Sequence, residues 1–176
     1  MSLPDWTDAA NHAHKIAGMT DPGDPSTGAP SAADRQAVAA KAAAAMWADD
    51  AASQALGMTL EEVRPGSARM TMRVRDDMVN GHSICHGGFV FALADSAFAF
   101  ACNSYNRVTV AQGCDIVFVA PARLGDLLTA EAVERVRYGR NGICDVTVRA
   151  GERLIAEFRG RSRELGTLIV PEAPEA

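Results

Sequence analysis

Hydrophobic and polar residues alternate with a period of two over several stretches of this chain, and one longer stretch is apolar on every side. Ala68, Met70, Met72 and Val74 alternate with Ser67, Arg69, Thr71, Arg73 and Arg75, which predicts a half-buried strand. Val108 to Val119 is richer in apolar residues, as expected of a central strand. Leu128, Ala130, Ala132, Val136 and Tyr138 share a face on which Glu134 is the exception, a pattern that fits a bulge. Cys144, Val146 and Val148 continue the alternation after Asn141-Gly142, a hairpin-turn pair. Leu154, Ala156 and Phe158 then alternate with Arg153, Glu157, Arg159, Arg161 and Arg163.

Between the first two of these strands lies Gly87 to Tyr105, whose apolar residues cover every side of a helical wheel. Such a helix is buried in protein or in lipid. A membrane span needs about 20 apolar residues, whereas this run has 16 from Gly87 to Cys102 and is interrupted by Asp95 and Ser96. Burial inside a sheet is the better reading. The expected fold is α+β, an antiparallel sheet wrapped around one long apolar helix, which is the hotdog arrangement.

Outside this body, Thr20 to Ser31 is a Pro/Gly/Ser/Asp run that no helix or strand can hold. Asp34 is expected to cap a helix over Arg35 to Asp49. The domain reading is therefore a flexible N-terminal extension (1–34), a folded body (35–166) and a solvated tail (167–176).

Charge narrows the range of partners. Seventeen basic against 22 acidic residues give a net charge of −5, which argues against nucleic acid as the main partner. Residues 107–164 nevertheless hold 10 basic and 8 acidic groups, so an anionic ligand would be held there. Fifteen of the 17 basic residues are Arg, as codon bias or recognition of phosphate by forked guanidinium groups would produce. Cys85, Cys102, Cys114 and Cys144 show no metal-finger spacing. Four free thiols and no leader-like N-terminus make the reducing cytoplasm the expected compartment, with no membrane contact.

Asp95 is the residue that most needs a reason. A lone carboxylate in an apolar helix must be protonated, paired, or placed at a cavity that solvent reaches. Upstream, Asn80-Gly81-His82-Ser83-Ile84-Cys85-His86-Gly87-Gly88 leads into the helix. Two glycines at the positive end of a helix dipole leave unshielded N–H groups that suit a carbonyl oxygen gaining negative charge. Equally, Gly87-Gly88 would let the helix pack closely on strands. Gly87 and Asp95 are separated by roughly 12 Å on one helix, yet a base and an oxyanion donor must each lie about 3 Å from the reacting centre. One chain cannot supply both to one carbonyl. Two antiparallel copies of the helix can, so a dimer with shared sites is expected.

His86-Gly87-Gly88, Leu93-Ala94-Asp95 and Ala101-Cys102-Asn103-Ser104 closely resemble the hotdog thioesterases of phenylacetic acid degradation, the PaaI-type family. The likeness extends over about residues 43–166 and includes Asn80-Gly81-His82, Pro121 with Gly125-Asp126, and Phe158-Arg159-Gly160. The resemblance implies an acyl-CoA thioesterase, with aryl-acetyl thioesters as substrates. Asp95 would be general base or nucleophile, Gly87 N–H would polarise the thioester carbonyl, and Asn80 and His86 would orient water or substrate. Some relatives carry a Ser on the following strand; here Ala111-Gln112-Gly113 stands there, and Gln112 is the nearest polar substitute. The coenzyme A phosphates have candidates in Arg137, Arg140, Arg161 and Arg163. Gly139, Asn141 and Gly142 would let backbone approach the pantetheine, and Gly88 would join the substrate contacts. Neither metal nor separate cofactor is implied, and the assembly would be a homodimer or a homotetramer of two dimers.

Three other readings compete. A hydroxyacyl-thioester dehydratase of the same fold would use His82 or His86 with Asp95, although those enzymes usually have Pro-Gly where this chain has Gly87-Gly88. A metal site from His82, Cys85 and His86 lacks a fourth ligand, and a Cys85–His86 nucleophilic pair is opposed because sequence neighbours do not face each other on a helix. A non-catalytic acyl-CoA sensor would need a partner domain, and neither terminal segment reads as helix-turn-helix.

Overall fold

The computed structural model describes residues 29–171. Most of the expected extension 1–34 and the end of the tail 167–176 therefore lie outside the described residues. Helix α1 (Ala32–Asp49) is opened by a capping box: Ser31 Oγ accepts from the Asp34 N–H at 3.1 Å and Asp34 Oδ2 accepts from the Ser31 N–H at 2.9 Å. Asp34 is thus not the cap that its position in the sequence suggests. It sits at the third helical position, and the helix starts three residues earlier. A short helix α2 (Ala51–Ala55) follows, with Asp50 as its N-cap.

Six strands form one antiparallel sheet: β1 (Met58–Arg64), β2 (Ser67–Arg73), β3 (Arg107–Phe118), β4 (Leu127–Tyr138), β5 (Asn141–Ala150) and β6 (Arg153–Leu168), in the order β1-β2-β4-β5-β6-β3. After β2 and the loop that follows it, the long helix α3 (Gly87–Asn103) packs across one face of the sheet and delivers the chain to β3 at the far edge. Leu93, Ala94, Ala97 and Ala101 are fully buried against the sheet, and the small alanines let backbone approach backbone. Phe98 fills the space over Gly160 so closely that a Cβ there would lie 2.7–2.8 Å from the ring.

Several details depart from the sequence reading. Strand β1 has no counterpart in that reading, because a bulge between Leu60 and Glu62 breaks its period of two. The Val108–Val119 stretch is an edge strand rather than a central one, and Val110, Val117, Phe118 and Val119 are exposed on it. The β4–β5 turn is Gly139-Arg140, with Gly139 at φ +56°, and Asn141-Gly142 begins β5. A helix apolar all round should be enclosed all round. Along α3, however, Ala92, Asp95, Ser96 and Ala99 form a stripe that stays half open. The expected bulge at Glu134 is present. The Glu134 carboxylate points inward, where Tyr105 OH donates to it at 2.8 Å and Arg137 approaches at 3.4 Å. Among the described residues no helix is long and apolar enough to cross a membrane.

Candidate active site

The loop before α3 is tied down by its own backbone. Asn80 N–H donates to Ile84 O at 2.8 Å, Asn80 Oδ1 accepts from the His82 N–H at 2.9 Å, and Ser83 takes φ +58°. His86 N–H donates to Met78 O and Cys85 N–H to Ala122 O, both at 2.8 Å. His86 is then the N-cap of α3, its Nδ1 accepting from the Gly88 N–H at 3.0 Å. An imidazole accepting at Nδ1 carries its neutral-state proton on Nε2, so His86 presents an N–H donor to solvent. The Gly88 N–H is already used by this contact. By contrast, the Gly87 N–H has no acceptor among the described residues and lies at the positive end of the helix. A Cβ on Gly87 would meet the exposed Phe118 ring at 3.0 Å, so a larger residue there needs only that ring to give way.

Two turns further along α3, Asp95 forms part of the wall of a cleft of about 560 Å³, a size that suits a small-molecule group. The cleft is closed by Met46 from α1, Phe98 and Cys102 from α3, Val108 from β3 and Leu168 from β6. Asp95 makes no hydrogen bond or ion pair among the described residues, and burial alone pushes its carboxyl above the usual carboxylate range. Beside it, a hydrogen bond of 2.9 Å between Ser53 Oγ and Ser96 Oγ ties α2 to α3. The Cys114 thiol on β3 is pushed up by burial and then by the Asp95 charge. Of the large apolar residues along α3, Phe98 reaches the cleft. Val90 is in the core, and Phe89 lies against the His86 ring at 6.2 Å.

The expected phosphate-binding set is only partly gathered. Arg137, Gly139, Arg140 and Asn141 line one small recess, with Arg163 opposite Asn141 in the strand register. Arg137 is committed inward, to Glu134 and over the Tyr105 ring at 3.9 Å. Arg140 Nε donates to Glu164 O at 3.1 Å. Arg161 pairs with Asp115 at 2.6 Å on the β3 side. Gly142 is needed for packing, since a Cβ would lie 2.7 Å from Ser162 Oγ. Gln112 is exposed on β3, at the register shift between Ala111 and Gly113. His82, Cys85 and His86 do not gather as a metal-donor cluster, and among the described residues no group of three or more His, Cys, Asp or Glu does. Burial pushes the Cys85 thiol up, which disfavours the nucleophilic thiolate.

Sequence reasoning missed Met46, Asp49 and Thr109 as parts of the cleft. No local signal marks them, because they come from segments that only the fold brings together.

Residues 82–156 match the family model described as the thioesterase superfamily. The chain is 43% identical over 130 residues to the acyl-coenzyme A thioesterase PaaI of Escherichia coli K12, covering 73% of this chain and 93% of that relative. The solved structure of E. coli PaaI, from the phenylacetic acid degradation operon, superposes with a TM-score of 0.74 at 40% identity, over 76% of this chain and 97% of that one. A mutant of the phenylacetic acid degradation protein PaaI from Thermus thermophilus superposes at 0.62 with 36% identity, over 64% and 97%. The matched family segment contains His86, Gly87 and Asp95 and leaves out α1 and most of β6.

Proposed function

From a chain that belongs to the thioesterase superfamily, as an acyl-CoA thioesterase of the PaaI type, we propose hydrolysis of aryl-acetyl-CoA thioesters at Asp95. The single observation that carries this reading is an unpaired carboxylate on the wall of an otherwise largely apolar cleft. As base, Asp95 takes a proton from water while the oxygen attacks the thioester carbon. As nucleophile, its own oxygen attacks and water then cleaves the anhydride. On either route the C–S bond breaks, the coenzyme A thiolate leaves and takes up a proton, and the acyl group departs as a carboxylic acid. The Gly87 N–H stabilises the carbonyl oxygen as it gains charge. His86 Nε2–H and Asn80 orient water or substrate, with Gln112 in the place where some relatives carry Ser. A thiolate is a fair leaving group, so one carboxylate and one oxyanion donor suffice without a metal or a separate cofactor. Arg140 and Arg163, with Arg137 and Arg161 beside them, support binding of the coenzyme A phosphates. Gly88, Gly139, Asn141 and Gly142 belong to the backbone along the pantetheine.

The reading includes a second copy of the chain. Gly87 and Asp95 are roughly 12 Å apart on α3, too far to serve one carbonyl. The half-open stripe along α3 and the apolar edge strand β3 leave two adjacent elements for a two-fold partner to cover. A homodimer with shared sites, or a tetramer of two such dimers, completes the site. Four free cysteines suit the reducing cytoplasm as the compartment.

The test is thiol release from phenylacetyl-, hydroxyphenylacetyl-, benzoyl- and aliphatic CoA thioesters, with wild type and Asp95→Ala side by side. Turnover of the aryl-acetyl esters, lost at least a hundredfold in the variant, is expected. Equal turnover in Asp95→Ala would overturn the assignment of Asp95. Binding of CoA thioesters without any turnover would favour a sensor, and hydration of an enoyl thioester a dehydratase.

A further inference from the structure

We propose that Asp49 makes the Asp95 cleft a charge filter, admitting neutral acyl groups and rejecting those that end in a carboxylate. This rests on the reading of the cleft as the acyl site. Among the described residues no Lys, Arg or His lines it, and the charged residues that do are Asp49, at the last turn of α1, and Asp95.

The neutral polar groups of the wall are occupied with one another. Asn103 Nδ2 donates to Ala99 O at 2.9 Å and to Thr109 O at 2.8 Å, and Asn103 Oδ1 accepts from the Thr109 N–H at 2.8 Å. Thr109 Oγ1 donates to Arg107 O at 2.9 Å, and the Cys102 thiol donates to Ala99 O at 3.4 Å. A carboxylate entering the cleft would lose its water and find neither a cation nor a free donor on these side chains.

Asp49 is solvent-exposed where it lines the cleft. It makes no hydrogen bond or ion pair among the described residues. It stands at the C-terminal end of α1, where the helix dipole disfavours an anion and where no basic residue lies in the last turn. Its neighbour Asp50 already caps α2, accepting from the Ser53 N–H at 3.0 Å. A residue that breaks a local rule without local compensation points to a role in function. At an effective dielectric of about 20, one unit charge a few ångströms from another changes affinity by about tenfold or more.

The experiment compares glutaryl-CoA with pentanoyl-CoA, which share a five-carbon chain and differ in the terminal carboxylate. In the wild type, kcat/KM for glutaryl-CoA should be below one-tenth of that for pentanoyl-CoA. Asp49→Asn should raise the ratio by about tenfold at low salt and Asp49→Lys by more, with the gain shrinking as salt screens it. A wild type that cleaves both esters equally, or a ratio that neither substitution moves, overturns the filter. Calorimetric binding of the same esters to Asp95→Asn, with and without Asp49→Lys, separates this failure from failure of the hydrolytic reading. Equal affinities there overturn the filter. A preference for the neutral ester that Asp49→Lys abolishes supports it, even if the wild type turns over neither ester.

Discussion

Asp95 carries its charge where burial makes charge unfavourable, and two measurements follow from that. Activity needs the ionised form, so kcat/KM should fall on the acidic side with an apparent pKa above the value of about 3.9 for a free Asp. Burial is the cause of the shift. The native state also binds this proton more tightly than the unfolded chain does. Stability from this group is therefore present below the unfolded pKa and lost as pH rises through the folded one. At neutral pH Asp95→Asn should melt higher than wild type while losing activity, a difference that thermal denaturation at pH 7 reads directly. His86 separates structure from chemistry in the same way. His86→Ala removes the cap on Gly88 N–H and should cost about 1 kcal/mol of stability in denaturant titration. His86→Asn restores a capping oxygen, so any activity still missing from that variant reports the Nε2–H donor.

At the scale of elements, α3 and β6 meet through a single missing side chain. Gly160→Ala would place a Cβ 2.7–2.8 Å from Phe98 ring atoms, and this overpacking should cost about 2 kcal/mol. Phe98 also lines the cleft, so KM should change together with stability. Combining Gly160→Ala with Phe98→Leu should recover part of the loss, measured by denaturant unfolding. The elements also differ in how legible they are. β2 and the first half of β4 follow from side-chain period alone, because each keeps one regular face there, and α3 follows from an apolar run longer than a strand. β1 escapes detection because Glu61-Glu62 falls at a bulge, where the period is lost. The hairpin turn is misplaced in the sequence because Asn141-Gly142 has turn chemistry, yet Gly139 is the glycine that takes positive φ.

For the molecule as a whole, the pairing of copies is the decisive expectation. Gly87 is the first residue of α3, and proline is accommodated at that position while lacking an N–H. His86, with ψ of 131°, already has the extended backbone that a following proline prefers. Gly87→Pro should thus delete the oxyanion donor and keep the helix. Mixed in equal amounts with Asp95→Ala, it should restore about a quarter of the wild-type sites, since half the dimers are mixed and each has one intact site. Mixtures that stay inactive while mass spectrometry shows the heterodimer would exclude shared sites.

The sequence by itself determined five of the six strands, that one apolar helix crosses them, and that Asp95 and His86-Gly87-Gly88 stand at special places on that helix. These are local properties, written in backbone periodicity and in residue types that a helix interior or terminus does not otherwise favour. Only the tertiary structure decided that β3 lies at an edge, that one stripe of α3 stays half open, and that the Gly88 N–H is occupied while the Gly87 N–H is not. It also brought Met46, Asp49 and Leu168 to the cleft around Asp95. Strand order and cleft membership depend on contacts between segments far apart in the chain, and no period within a segment encodes its neighbours.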